Sequence, residues 1–345
     1  MLPESIFALR YGVALTELRQ ISLIRLRGEG AFDLLDAVSP RPLFLRDGQA
    51  LHGLLLDPEA HPLVDLYIAL DDLDYLLFVE GPPIAEWLRA HHPAGAPEVE
   101  IQEESDSFAV LSLNGPYAWE LMSRLVSPDV LGMPYLSHFA LNDWGGLCLR
   151  AGKTGEFGYD LVVPRPRMEA LRRHLFELGA DMALTEASLA DLDLCALENG
   201  FFSVRTPGVQ ALTPLELQLQ WRVDYRRHFP GAEALRAAKT TCSSRISWAI
   251  GDPDHPPPQP GAQLKRGGEV LGRVLQSQYS HLLQRPVAQL LLDRTRAHPG
   301  LELRCGDAAW RTVSSPLLNN RSLFIDTQRH SWASRELDRF PPVVP

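Results

Sequence analysis

The chain has 345 residues, of which 45% are hydrophobic and 22% charged, and its formal net charge is −10. That length exceeds one simple core and suits two or three packed modules. The negative balance argues against a nucleic-acid partner, because phosphate binding needs clustered positive charge. Cys148, Cys195, Cys242 and Cys305 are widely spaced, with no Cys-x-x-Cys pair and no Cys/His cluster at ligand spacing, so no metal site is expected. The first residues lack a basic stretch followed by an apolar core, and no apolar run reaches the ~20 residues that span a bilayer. A cytoplasmic protein without a membrane partner is the expectation.

In chain order, Ile21 to Arg27 partly alternates as a half-buried strand, Gly28-Glu29-Gly30 breaks it, and Ala31 to Val38 follows as a short amphipathic helix. The G-x-G-x-x-G spacing of a dinucleotide site is missing there. Leu51–Leu56 and Leu63–Leu70 are the next strands, joined by a turn over 57–62. Asp65 is notable within the second, since Asp is depleted in strands and a buried carboxylate needs a compensating partner. Leu63 and Tyr67 share its face. Asp71-Asp72-Leu73-Asp74 reads as a solvated hairpin tip before Tyr75–Val79, and 83–92 as a short helix.

Phe108–Leu113, Asn114-Gly115-Pro116 and a helix from Tyr117 to Val126 repeat the earlier strand, glycine turn and helix, a pattern expected of internal duplication. The strands Gly146–Arg150 and Tyr159–Val163 flank Ala151-Gly152-Lys153-Thr154-Gly155-Glu156-Phe157-Gly158, a turn suited to cradling a flat ligand. Lysine occurs elsewhere only at Lys239 and Lys265. Met168–Leu178 has helical spacing, and a further helix is expected from Thr185 to Glu198, stopped by Asn199-Gly200. Glu198 then opposes the helix dipole and calls for a salt bridge or a ligand. Beyond the Pro-rich stretch 251–261, Gln263–Gly272 reads as a hairpin turning on Gly267-Gly268. Strands at 273–276, 287–292 and 301–304 complete a small β-barrel-like module.

Four motifs in register between Ala151 and Leu235 resemble the aminomethyltransferase (T-protein) family of the glycine cleavage system and its folate-binding relatives. The turn 151–160 is similar to Thr-Gly-Tyr-Thr-Gly-Glu-Asp-Gly-(Tyr/Phe)-Glu, and Ala196-Leu197-Glu198-Asn199 to Arg-Leu-Glu-Ala. Thr213 to Trp221 matches Thr-Pro-(Leu/Phe)-Glu-x-x-Leu-x-Trp, and Phe229 to Leu235 resembles Phe-(Val/Ile)-Gly-(Lys/Arg)-Glu-Ala-Leu. The resemblance spans nearly the whole chain. It implies an α+β fold, a three-module cloverleaf around a central channel, with two related α/β lobes interleaved over 1–240 and a C-terminal β-barrel-like domain over 241–345.

The resemblance also implies tetrahydrofolate, or a 5- or 5,10-substituted derivative, in that channel. Asp65, aligned with the family's Asp-Asp-(Leu/Ile) strand, is then the catalytic residue beside the one-carbon unit, its pKa raised by burial. Glu156 would hold the pterin amidine. Tyr159, Glu198, Tyr67, Glu80, Lys153 and Trp221 are the other cofactor-binding positions. Departures fall at Val64, Glu80, Lys153 and Ala196, where the family carries Asp, Asn, Tyr and Arg. The implied activity is transfer of an aminomethyl, methyl or formimidoyl unit to or from a small or specialised-metabolite substrate, free or carried on a protein. A non-catalytic folate-binding protein of the iron–sulfur cluster maintenance type is the alternative, although its Lys-Gly-Cys-(Tyr/Phe)-x-Gly-Gln motif is absent.

Overall fold

A computed structural model describes residues 2–344. The chain opens with α1 (Glu4–Tyr11), β1 (Ala14–Glu17), β2 (Ile21–Arg27), α2 (Ala31–Val38), β3 (Gln49–Leu56), β4 (Pro62–Asp71), β5 (Asp74–Glu80), α3 (Ala85–Ala90) and β6 (Glu100–Glu103). It continues with β7 (Phe108–Asn114), α4 (Ala118–Leu125), β8 (His138–Leu141), β9 (Gly146–Leu149), β10 (Gly158–Pro164), α5 (Met168–Leu178), β11 (Thr185–Glu186), α6 (Leu189–Asn199) and α7 (Ala232–Thr241). The last strands are β12 (Ser244–Gly251), β13 (Gln263–Arg266), β14 (Glu269–Ser280), β15 (Arg285–Asp293), β16 (Glu302–Cys305) and β17 (Ala308–Val313).

The two lobes repeat one plan. The first sheet runs β3-β4-β5-β2-β6 and the second β8-β9-β10-β7-β1-β11, so β8, β9, β10 and β7 stand where β3, β4, β5 and β2 stand. Their outer neighbours are exchanged. β1 precedes β2 in the chain yet pairs with β7 of the second sheet, while β6 precedes β7 yet pairs with β2 of the first. Each lobe is therefore completed by the strand that leads into the other.

The sheets meet face to face. Val64, Leu66 and Ile68 of β4 pack into the first lobe's own core, whereas Tyr67 and Ala69 lie between the sheets with Val110, Leu149 and Val162. This is the period-2 alternation of strands buried on both sides. A third apolar cluster joins α1, α6, the irregular stretch 202–230 and the outer face of the barrel.

The C-terminal module is a closed barrel, β12-β15-β14-β13-β16-β17, turning at Gly267 and Gly268 with φ of +57° and +88°. β14 extends beyond the expected 276 to Ser280, pairing with β15 throughout, and a register shift between Val274 and Gln276 breaks the alternation that would mark the longer strand in sequence. The helix expected from Thr185 begins at Leu189. Ser188 caps it in a reciprocal box with Asp191, and Thr185 and Glu186 pair with β1 instead. The barrel ends at Val313, and the residues after it return to the second lobe. There the Trp332 ring meets Tyr117 edge-on at 5.5 Å and its Nε1 donates to the Asp181 carbonyl at 2.6 Å. Among the described residues, no helix is long and apolar enough to cross a membrane.

Candidate functional site

Strand parity builds the site. Asp65 on β4, Glu80 on β5, Ser112 and Asn114 on β7 and Asp160 on β10 share the inter-sheet faces, and together they line a narrow cavity of about 80 Å³. Tyr159 differs from Asp160 by one residue and points the opposite way, into the second lobe's core. The loop between β9 and β10 closes the cavity with Gly152, Lys153 and Thr154, and α6 and its flank add Asp193, Ala196 and Arg205.

A chain of alternating charges crosses this cavity. Asp65 and Glu80 are directly opposite each other in the β4–β5 ladder, an arrangement that destabilises when both carry like charge. Lys153 answers both, with Nζ 2.6 Å from Asp65 Oδ2 and 2.5 Å from Glu80 Oε2. Arg205 continues the chain from Glu80 Oε1 at 2.7 Å to Asp193. On the other side, Asp65 Oδ1 accepts from Arg222 and from His52 Nε2, both at 2.9 Å. Arg222 also donates to His52 Nδ1 at 3.3 Å. That contact makes Nδ1 the acceptor and leaves the proton on Nε2.

These contacts reverse one expectation. Burial pushes the Asp65 carboxyl up, but His52, Lys153 and Arg222 together hold it well below the usual carboxylate range. Asp65 therefore stays ionised and is no proton shuttle near neutral pH. Burial also raises Glu80, yet Lys153 and Arg205 bring it below its ordinary value against the push of Asp65. Lys153 is raised, because the two carboxylates outweigh its burial. It is a fixed cation and no amine nucleophile.

Asp160 behaves differently. Ser112 Oγ donates to its Oδ1 at 2.5 Å, and Asn114 Nδ2 in turn donates to Ser112 at 2.8 Å. Burial lifts the Asp160 carboxyl to about 7, with the Ser112 hydrogen bond and Lys153 only moderating the rise. The Gln20 side-chain oxygen and the Tyr67 hydroxyl, also on the cavity wall, are buried without hydrogen-bond partners. The Tyr67 ring lies against His52 with ring centroids 4.5 Å apart and the planes tilted by 35°. Unpartnered buried polar groups are uncommon and point to a ligand.

A second, outer cavity of about 580 Å³ lies where the lobes meet the barrel, lined by Arg41, His52, Tyr135, Trp221, Arg222 and Trp248 among others. His52 lines both cavities, and with Asp65 and Arg222 it forms the wall between them.

The structure thus brings Asp65, Tyr67, Glu80 and Lys153 together in the inner cavity and places Trp221 in the outer one, its side of the ring open to solvent at 65% exposure. It places Glu156, Glu198 and Tyr159 elsewhere. Both Glu156 oxygens are occupied, Oε1 by the Arg321 amide at 3.0 Å and Oε2 by the Ser322 amide and hydroxyl at 2.8 and 2.6 Å. Glu156 fastens the C-terminal segment and lines neither of the two cavities. Glu198 is a salt-bridged acid, 2.6 Å from Arg10 and accepting from Ser280 at 2.6 Å. Gly155, at φ +81°, lies where a Cβ would come within 2.4 Å of Asn320 and 2.5 Å of Asn199. That half of the turn receives protein and the Lys153 half faces the cavity.

Sequence reasoning overlooked Asp160, His52, Arg222, Arg205 and Arg10. Asp160 carries the same signal that singled out Asp65, an acid inside an apolar strand, flanked by Tyr159 and Leu161. The other four have no local signal, since each is explained by a carboxylate on another element, 12 or 13 residues away for Arg205 and His52 and more than 140 for Arg10 and Arg222. Among the described residues, no group of three His, Cys, Asp or Glu is placed to hold a metal.

Comparison with known proteins bears on this geometry. A family model described as the GCVT N-terminal domain matches residues 3–227. An aminomethyltransferase of Flavobacterium psychrophilum is 30% identical over 239 residues, covering 67% of this chain and 65% of its own. The chain thus spans slightly less than two thirds of that relative. An aminomethyltransferase of Chlorobium chlorochromatii is 26% identical over 329 residues, covering 92% of this chain and 90% of its own. Among solved structures, the glycine cleavage system aminomethyltransferase T of Bartonella henselae superposes with a TM-score of 0.77 at 22% identity, over 92% of this chain and 90% of that one. That likeness speaks to the fold.

Proposed function

The chain belongs to the GCVT family, and from that premise we propose that it is a tetrahydrofolate-dependent one-carbon transferase acting on a small-molecule substrate. The observation that carries the reading is Asp160. It is a buried carboxyl on the cavity wall, beside a tyrosine hydroxyl and a glutamine oxygen that have no protein partners. A flat heterocycle with adjacent N–H donors suits such a set, and Asp160 takes the anchoring role that the sequence assigned to Glu156. When bound, tetrahydrofolate supplies the carrier nitrogen for the one-carbon unit.

The protein's own residues define the rest. As the side chains stand, the inner cavity is smaller than the ~150 Å³ void that accepts benzene, so Lys153 must leave its place between Asp65 and Glu80 for a two-ring ligand. That movement frees Asp65 Oδ2, which otherwise faces the Lys153 ammonium at 2.6 Å, while Oδ1 stays held by His52 and Arg222. Asp65 then presents a fixed negative charge to a reacting centre that develops positive charge, an electrostatic role without proton transfer.

Calorimetric titration with tetrahydrofolate tests the proposal. Wild-type protein is expected to bind, and Asp160→Asn to bind roughly 10- to 100-fold more weakly, the loss of one hydrogen-bonded charge at about 1.5–3 kcal/mol. Glu156→Gln, once folded, is expected to keep wild-type affinity. No binding by wild type at high micromolar protein rejects the reading. Equal losses in Asp160→Asn and Glu156→Gln reject the assignment of the anchor.

A further inference from the structure

Lys153 reaches into the inner cavity from the loop between β9 and β10. Among the described residues its ammonium has two partners, Asp65 Oδ2 at 2.6 Å and Glu80 Oε2 at 2.5 Å. The second oxygen of each acid is engaged elsewhere. Asp65 Oδ1 accepts from His52 and Arg222, and Glu80 Oε1 accepts from Arg205, so both carboxylates keep their places when Lys153 leaves. The backbone behind the lysine is pinned as well. The Thr154 carbonyl accepts from Arg10 at 2.9 Å and from Asn199 at 2.7 Å, and the Thr154 hydroxyl donates to Asn114 at 3.2 Å. Movement is thereby confined to the flexible four-carbon stem of Lys153, whose side chain is 20% exposed and already borders solvent. Glu80 and Lys153 both stand where the resembled motifs carry uncharged residues, Asn and Tyr, and here they meet each other. The resemblance accounts for neither.

We propose that Lys153 is a tethered competitor for the inner cavity. Its ammonium, retained by Glu80, fills the place that a ligand takes, and ligand binding swings it out to solvent. The proposal rests on the reading above, in which the inner cavity receives the ligand. Glu80 is then a specificity-determining residue, because it sets how firmly the competitor is held. The apparent affinity of every ligand is reduced by the fraction of molecules in which the lysine has left. Ligands with few contacts to the cavity are shut out.

The chain has three lysines, Lys153, Lys239 and Lys265, and Lys265 is exposed. Limiting acetylation by acetic anhydride, scored by mass spectrometry as the ratio of Lys153 to Lys265 within one sample, therefore follows the swing. A salt-bridged ammonium stays protonated and does not react. The ratio is expected to be low in free wild type and to rise roughly tenfold in Glu80→Gln. It is expected to rise likewise when wild type is saturated with tetrahydrofolate, whereas a ligand that merely covers Lys153 lowers it. An unchanged or lowered ratio with tetrahydrofolate bound overturns the proposal, as does an unchanged ratio in Glu80→Gln.

The double variant Lys153→Ala/Glu80→Gln removes one charge of each sign and leaves Asp65 its bonds to His52 and Arg222. It is expected to bind tetrahydrofolate roughly tenfold more tightly than wild type. Equal or weaker binding overturns the proposal. If the double variant binds and wild type does not, the competitor stands and the folate reading of the native protein falls. If wild type binds while the acetylation ratio stays unchanged, the folate reading stands and the competitor falls. Binding by neither protein rejects both.

Discussion

Asp65 and Glu80 form a like-charged cross-strand pair that the fold tolerates because Lys153 lies between them. Removing one partner of a buried ion pair typically costs 3–5 kcal/mol. Lys153→Met should therefore lower the free energy of unfolding by about 3 kcal/mol at pH 7, measured by urea denaturation. In wild type, Glu80 is depressed and contributes stability that is fully present above its ordinary value of 4.5 and is lost as the pH falls below that value and through the lower folded one. In the variant, Glu80 keeps only Arg205 against the push of Asp65 and rises, so the deficit should shrink at low pH as that carboxyl protonates. A deficit unchanged at the lower pH would show that Lys153 acts through packing alone. The sequence showed Asp65 as an anomaly because a carboxylate in an apolar strand breaks a local rule. It could not show that the compensation comes from Lys153 and Arg222, which are distant in the chain, together with His52 on the neighbouring strand.

At the scale of elements, the strands around the cavity were legible. Alternation and turn residues mark β4, β5, β7 and β10, and parity along them decides which side chains meet between the sheets. The same parity applied to Tyr159-Asp160-Leu161 would have exchanged Tyr159 for Asp160 in the site. Two features were hidden. The start of α6 depends on a Ser188–Asp191 cap and on Thr185 and Glu186 pairing with β1, which helical periodicity does not reveal. The return of the C-terminal segment to the second lobe rests on single residues, Trp332 in that lobe's core and the Arg321 and Ser322 amides on Glu156, and follows no periodic pattern. Trp332→Ala should cost about 3–5 kcal/mol in unfolding free energy and expose residues 320–340 to limited proteolysis at rates well above wild type. Wild-type proteolysis with reduced stability would confine the role of Trp332 to core packing.

Across the whole molecule, the exchange of β1 and β6 interlocks the two lobes, and the barrel closes over them. Two cavities result, sharing the wall made by His52, Asp65 and Arg222. The net charge of −10 was plain from composition, whereas the cavities were not, because they arise from residues between 18 and 315 that meet only in the assembled fold. The central claim is that Asp160 receives the ligand's donors as a carboxylate. Its pKa is about 7 in the folded protein against 3.8 for the free side chain. The folded state is therefore favoured by the protonated form, an advantage complete below the ordinary value and lost as the pH rises through about 7. Ligand binding should run the other way, strengthening as Asp160 ionises. The most direct measurement is tetrahydrofolate affinity from pH 6 to 8. Wild-type affinity should rise with a midpoint near 7, and Asp160→Asn should show a flat profile. A flat wild-type profile, or a rise that persists in Asp160→Asn, would contradict the account.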